Sequence, residues 1–118
     1  ALIRTEIFKF LRALAVHNFS GAVAALAGSA LNTEALTNAI EPYYEDHERI
    51  RLDNEARNGR HTYIEPSEDG KTWRVCQVLV DPEELNDWQA EFRVDLTQAR
   101  EESKVSLVLV SLAPVAPA

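Results

Sequence analysis

The apolar residues of this chain change period once, at Asn58-Gly59, and that change limits the fold more than any other feature. Upstream, Ile3, Ile7, Phe10, Leu11 and Leu14 recur at spacings of three and four, the stripe of an amphipathic helix. Asn18 and Ser20 are capping residue types, so a second short helix is expected through Ala22-Val23-Ala24-Ala25-Leu26, stopped at Gly28-Ser29. Asn32 or Thr33 caps a third, in which Leu36, Ile40, Tyr43, Tyr44 and His47 hold the helical period straight through Pro42. Proline inside a helix removes a backbone donor. The sequence therefore allows either a kink at Glu41-Pro42 or a fresh helix with Pro42 in its first position.

Downstream the period is two. His61-Thr62-Tyr63-Ile64 reads as a short strand, closed by Pro66 and the turn Glu68-Asp69-Gly70. Trp73 to Val80 is apolar on both faces, as a strand covered on two sides would be, and Asp81-Pro82 ends it. Trp88, Ala90, Phe92, Val94 and Leu96 then alternate with Gln89, Glu91, Arg93, Asp95 and Thr97, which puts one face on a core and one in water. Val105 to Leu112 makes a last strand, and residues 113–118 read as a tail. Helices first and an antiparallel meander after them is the α+β order. The expectation is a single domain over residues 1–112, its N-terminal helices packed on a curved antiparallel sheet of about four strands. That arrangement resembles the roll of the nuclear-transport-factor-2 or cystatin-like kind; a flat helix-on-sheet sandwich is the alternative.

Charge narrows the function classes. Twelve Lys and Arg against nineteen Asp and Glu leave a formal charge of −7, the reverse of what a phosphate-gripping domain usually carries. Arg49, Arg51, Arg57 and Arg60 are interleaved with Glu45, Asp46, Glu48, Asp53 and Glu55, which reads first as a solvated surface of mixed sign. No apolar run reaches the roughly 18 residues of a membrane span. No signal peptide is visible, so a cytoplasmic setting is expected, and the absence of methionine fits a piece of a longer chain.

Candidate chemistry is sparse. Cys76 is the single cysteine and lies in an apolar run, where a buried thiol is the expected role. His17, His47 and His61 share no metal-ligand spacing, so no metal and no cofactor is expected. A pocket lined by Tyr43, Tyr44 and His47, with Asp95 joining if its strand face turned inward, is the strongest constellation, since a histidine in an apolar pocket can act as an acid or base. Trp73 and Trp88 both open strands beside turns; core packing is the first reading, and stacking on a base or anchoring a partner the second.

Two stretches carry a family resemblance. One is Glu41-Pro42-Tyr43-Tyr44-Glu45-Asp46-His47-Glu48-Arg49-Ile50, followed by Asp53 and Ala56-Arg57. The other runs from Trp73-Arg74-Val75-Cys76-Gln77-Val78-Leu79-Val80-Asp81-Pro82 to Asn86-Asp87-Trp88 and Val94-Asp95-Leu96. Together they resemble the C-terminal domain of uncharacterised function in bacterial DEAD/DEAH-box (superfamily 2) helicases, with a departure in residues 53–60, which are less glycine-rich. In that family the domain follows two motor lobes that bind ATP and nucleic acid. The motor's own phosphate loop of the Gly-Lys-Thr or Gly-Lys-Ser kind, and its Asp-Glu-Ala-Asp or Asp-Glu-Ala-His box, are not expected here.

The resemblance implies a non-catalytic accessory domain, with Tyr43, Tyr44, His47, Arg57, Trp73 and Trp88 as candidate binding residues. The implied partners are the motor lobes, a partner protein or structured RNA, with no membrane; a symmetric homodimer is a further expectation. The alternative is a small-molecule-binding or enzymatic domain with a cone pocket near Tyr43, Tyr44 and His47.

Overall fold

The computed structural model describes residues 2–26, 31–97 and 106–115. Three α-helices, α1 (Leu2–Ala15), α2 (Phe19–Ala24) and α3 (Thr33–Asp46), precede four strands: β1 (Thr62–Pro66), β2 (Thr72–Leu79), β3 (Trp88–Asp95) and β4 (Leu107–Pro114). The strands form one antiparallel sheet in the order β1-β2-β3-β4. Helices followed by a meander is the α+β arrangement that the period change predicts. None of the described helices is long and apolar enough to cross a membrane.

The stripe of α1 buries Ile7, Phe10, Leu11 and Leu14. The helix ends in two reversed hydrogen bonds, Asn18 N–H to the Ala13 carbonyl at 2.9 Å and His17 N–H to that of Leu14 at 3.0 Å, with His17 left-handed at φ 60°. That is the glycine-favouring cap of a helix, here filled by histidine. The ring of His17 lies 4.7 Å from that of Tyr44 and 5.7 Å from that of Phe19, contacts that offset part of the backbone strain. Asn18 caps α2 by accepting from Gly21 N–H at 3.0 Å. The expected stop at Gly28-Ser29 lies outside the described residues.

Asn32 caps α3, its side-chain oxygen accepting from Ala35 N–H at 2.8 Å. Pro42 neither starts a helix nor divides one: α3 runs through it from Thr33 to Asp46. Pro42 is exposed, while Leu36, Ile40 and Tyr43 of the same helix are fully buried. Packing of that inner stripe outweighs a local cost of about 3 kcal/mol for an interior proline.

On the sheet, one face meets the helices. Leu79 opposite Trp88, Val75 opposite Phe92 and Trp73 opposite Val94 supply it, continued in β4 by Leu107 and Leu112. Phe10 and Phe92 meet edge to face with ring centres 5.6 Å apart, as do Tyr43 and Trp88 at 5.7 Å. Each such pair contributes about 0.5–1.5 kcal/mol beyond the area it buries. The other face of β2 is covered too. Ala56, from the segment between α3 and β1, packs on Val78 and Val80. This is why β2 is apolar on both sides.

The structure departs from the sequence reading at several points: α2 ends at Ala24, short of Leu26, and β3 ends at Asp95, short of Leu96. His61 closes a short 3₁₀ turn (Gly59–His61) instead of opening β1. The register between β3 and β4 shifts at Glu91/Phe92, so that Leu109 pairs with Phe92 and Leu112 with Ala90, leaving Val110 as a bulge. The extra residue reverses the phase of alternation and lets Leu107 and Leu112 face the same core. β4 also reaches Pro114, two residues into the expected tail, while Val105 and residues 116–118 lie outside the described residues.

Pro42→Ala restores a donor to the Asn38 carbonyl while losing the restriction that proline puts on the unfolded chain. About 3 kcal/mol less about 1 leaves an expected stabilisation of about 2 kcal/mol. Urea unfolding should show a higher midpoint at unchanged slope; a lower midpoint would mean that the proline is part of what holds α3 in place.

Candidate functional site

The densest polar cluster of the described residues gathers where α3 ends beside the loop between β2 and β3. It begins with Asp81, which has no exposure to water. Its carboxylate accepts from three backbone N–H groups of its own loop: Asn86 at 2.8 Å, Glu83 at 3.1 Å and Leu85 at 3.1 Å. Those bonds fold residues 81–87 into a tight loop in which Glu84 and Asn86 are left-handed, at φ 57° and 52°. Pro82 cannot continue the ladder of β2, so the strand stops and the loop begins at one place.

The loop turns Glu83 and Asp87 toward His47, the residue that caps α3. His47 leaves the helix in extended conformation, its N–H still bonded to the Tyr43 carbonyl at 2.8 Å. Its side chain is only 1% exposed. Nδ1 lies 3.2 Å from Glu83 Oε1 and 3.6 Å from Asp81 Oδ2, and Nε2 lies 2.9 Å from Asp87 Oδ1. A neutral imidazole has one N–H; with a carboxylate at each nitrogen the ring must carry both protons to satisfy them. The geometry therefore favours the imidazolium form of His47 over the neutral ring.

The titration shifts agree with this geometry. Burial works against the charge of His47, but hydrogen bonds to Glu83 and Asp87 and the fields of Asp81 and Asp87 outweigh it and raise its pKa. Burial likewise works against ionised Asp81. The loop amides and the His47 charge win there as well, and hold it below the ordinary carboxylate range. Tyr43 is pushed far up by burial and by the neighbouring carboxylates. Its hydroxyl donates to the Arg49 carbonyl at 2.7 Å, and its ring lies 4.9 Å from that of His47.

His47, Asp81 and Asp87 each offer a ligand atom within 4.8 Å of the others, a spacing that a divalent cation could use. A cation there would have to displace the ring protons and compete with three backbone donors on Asp81. The cluster is satisfied without one. Chemically it is a closed ionic staple between α3 and the β2–β3 loop, and the loop is fastened in turn to β4 through Val115 N–H and the Asp87 carbonyl at 2.8 Å.

The other candidate residues are dispersed. Tyr44 lies on the opposite side of Tyr43 and lines a surface cleft of about 370 Å³ with His17, Phe19 and Glu41. Trp88 is buried in the core against Tyr43, and so offers no contact surface. Trp73 is half-buried at the rim of a different cleft, of about 320 Å³, beside Arg74 and Arg93. Arg57 is exposed and borders a cleft with Phe8, Arg12 and Leu52. Asp95 points to the exposed side of β3, away from Tyr43 and His47. Cys76 is buried, and burial pushes its thiol up and away from the reactive thiolate.

Sequence reasoning passed over Asp81, Glu83 and Asp87 as a group. Asp81-Pro82 was legible only as a strand end, although an aspartate at that place is also the residue type that folds its own loop through backbone amides. Gly70-Lys71-Thr72 corrects the expectation that no such tripeptide occurs. It sits in the β1–β2 turn with Gly70 at φ 70°, a glutamate stands where the phosphate loop's first glycine belongs, and a strand follows instead of a helix. The backbone cradle for phosphate is therefore absent from this segment.

For His47 the folded pKa is raised above the unfolded value of about 6.5, so its stabilisation is present below that value and lost as pH rises through the folded pKa. Asp81 has the opposite sign: its contribution holds above about pH 3.9 and is lost as pH falls through its lowered pKa. His61 is lowered, chiefly by burial, and so costs stability as pH falls through about 6.5. His47→Gln isolates the first effect. At pH 6 it should destabilise by about 3 kcal/mol, the low end for breaking a buried pair because Glu83 and Asp87 are half-exposed. The gap between the two proteins should shrink from pH 7 to 10 in urea unfolding; a gap that stays constant would mean that His47 is neutral.

Residues 1–112 match the family described as Domain of unknown function (DUF3516). No curated protein and no solved structure matches the chain.

Proposed function

The chain belongs to the DUF3516 family, and from that premise we propose that it is a non-catalytic accessory domain acting through its surface. We read its context as a bacterial DEAD/DEAH-box helicase in the cytoplasm, on the strength of the resemblance in residues 41–57 and 73–96. Its contacts in that setting are the motor lobes, a partner protein or structured RNA.

The observation that carries the reading is the closure of the His47 cluster. A general acid or base must reach a substrate proton and have a pKa near the working pH. His47 has both ring nitrogens on carboxylates and almost no exposure, and its proton is held more tightly than in water. A staple of that kind fixes a surface in place. What it fixes is the outer side of α3 and the following turn, where Glu41, Pro42, Glu45, Asp46, Glu48 and Arg49 are all exposed. A rigid, mostly acidic surface suits recognition, since electrostatic complementarity sets partner choice and encounter rate.

Deletion of the domain from the parent chain tests this. Expected is a changed choice of substrate, or changed coupling of ATP turnover to nucleic acid, with basal ATP turnover kept close to that of the intact protein. Loss of basal turnover would make the domain part of the motor, and no change in either property would overturn the accessory role.

A further inference from the structure

We propose that the cleft between α1 and the segment before β1 is a phosphate site that takes the backbone of a single-stranded nucleic acid. This rests on the surface-contact reading above and commits it to a single-stranded nucleic acid in place of structured RNA, and it stands on a different part of the molecule from the His47 cluster.

Arg4, Phe8 and Arg12 are four residues apart and form one stripe of α1. Leu52 and Arg57 close the opposite side, and with Phe8 and Arg12 they line a cleft of about 440 Å³. Arg4 joins the two sides: its guanidinium lies 5.5 Å over the Phe8 ring and donates to the Arg57 carbonyl. Two guanidinium groups, those of Arg12 and Arg57, thus line one concave surface and that of Arg4 stands beside it, in a chain whose formal charge is −7.

Their counter-ions are missing from the described residues. Lys9 pairs with Glu6, Arg51 with Asp53 and Glu84, Arg60 with Glu55, and Arg74 with Glu65 and Glu91. Among the described residues Arg4, Arg12 and Arg57 pair with no carboxylate, and neither do Arg49, Lys71 and Arg93; what sets the first three apart is that Arg12 and Arg57 share one cleft and Arg4 touches both of its sides. Arg57 reaches the amide oxygen of Asn54 at 2.8 Å. Arg4 Nε is buried with no acceptor at all. Gathering like charges around one cleft without a carboxylate among the described residues is unfavourable, and a bound anion would relieve it.

The guanidinium fork matches phosphate oxygens better than a point charge does. Two turns separate Arg4 from Arg12, a run of about 12 Å along the helix axis. That span exceeds a single phosphate and fits successive ones, which favours a strand over a free nucleotide. Phe8 and Leu52 supply an apolar wall beside the charges, where a base or sugar can rest. The acidic outer side of α3, with Glu34, Glu41, Glu45 and Asp46 exposed, repels a nucleic acid from that side.

The test is a fluorescence-anisotropy titration of the chain with a labelled oligouridine across a range of salt. Expected is binding whose logarithm falls with log salt at a slope of about −2, near −0.7 for each of three phosphate contacts. Arg12→Gln and Arg57→Gln, both at exposed side chains, should each weaken binding several-fold and flatten the slope by about 0.7, with circular dichroism and urea midpoints unchanged. Arg93→Gln, at an exposed arginine on the far face of the sheet, should leave both unchanged. No binding at low salt would overturn the proposal. So would an equal loss with Arg93→Gln, which would make the attraction diffuse. Competition with ATP and with inorganic phosphate decides between strand and small anion: if either displaces the oligouridine at concentrations comparable to the strand's own, the strand is not the occupant.

Discussion

A carboxylate with no access to water must be neutralised from inside the protein, and Asp81 sets that condition for everything around it. Three amides can reach it only if the chain turns sharply after Pro82, and the turn sends Glu83 and Asp87 back over the end of α3. The resulting pocket of negative charge favours the protonated form of His47, and His47 is where α3 stops. Arg51 N–H to the Val80 carbonyl and Val115 N–H to the Asp87 carbonyl, both at 2.8 Å, bring the chain after α3 and the end of β4 to the same place. Helix end, strand end, loop and last strand are thereby located by one buried charge.

Elements defined by their own periodicity were legible in the sequence. The stripe of α1, the caps Asn18 and Asn32, the two-sided β2 and the alternation of β3 follow from local patterns that tertiary structure leaves intact. What was hidden depends on partners distant in the chain. The Val110 bulge serves to return Leu112 to the core, and nothing next to Val110 announces it. Pro42 is tolerated because Tyr43 and Ile40 are packed by the sheet, which the residues around the proline do not record. The site behaves in the same way. His47 was singled out, but its role is set by three carboxylates 34 to 40 positions downstream, and these close both ring nitrogens of a candidate base. Trp88, an anchor by composition, faces Tyr43 because its strand alternates inward from that residue.

Net charge proved a coarse guide, because it averages over surfaces of opposite character. The outer side of α3 exposes Glu34, Glu41, Glu45 and Asp46, whereas α1 exposes Arg12 beside Arg57. Two such surfaces on one small body orient it in the field of any charged partner, an effect that reaches about 8 Å at physiological ionic strength. The mixed-sign segment 49–60 divides along the same line: Arg51 and Arg60 are spent on Asp53 and Glu55, and Arg57 is not.

The order of the elements also bears on how the chain assembles. Every strand pairs with its neighbour in sequence, so the pairings are local in the chain and can form early. The helices touch one another locally, but their inner stripes are covered by the sheet. Phe10 finds Phe92, and α1 and α3 rest on β4, only after the far end of the chain has been made. During synthesis the N-terminal third emerges first and waits with its apolar stripe uncovered, which makes it the portion most in need of a chaperone or of an already folded neighbour upstream.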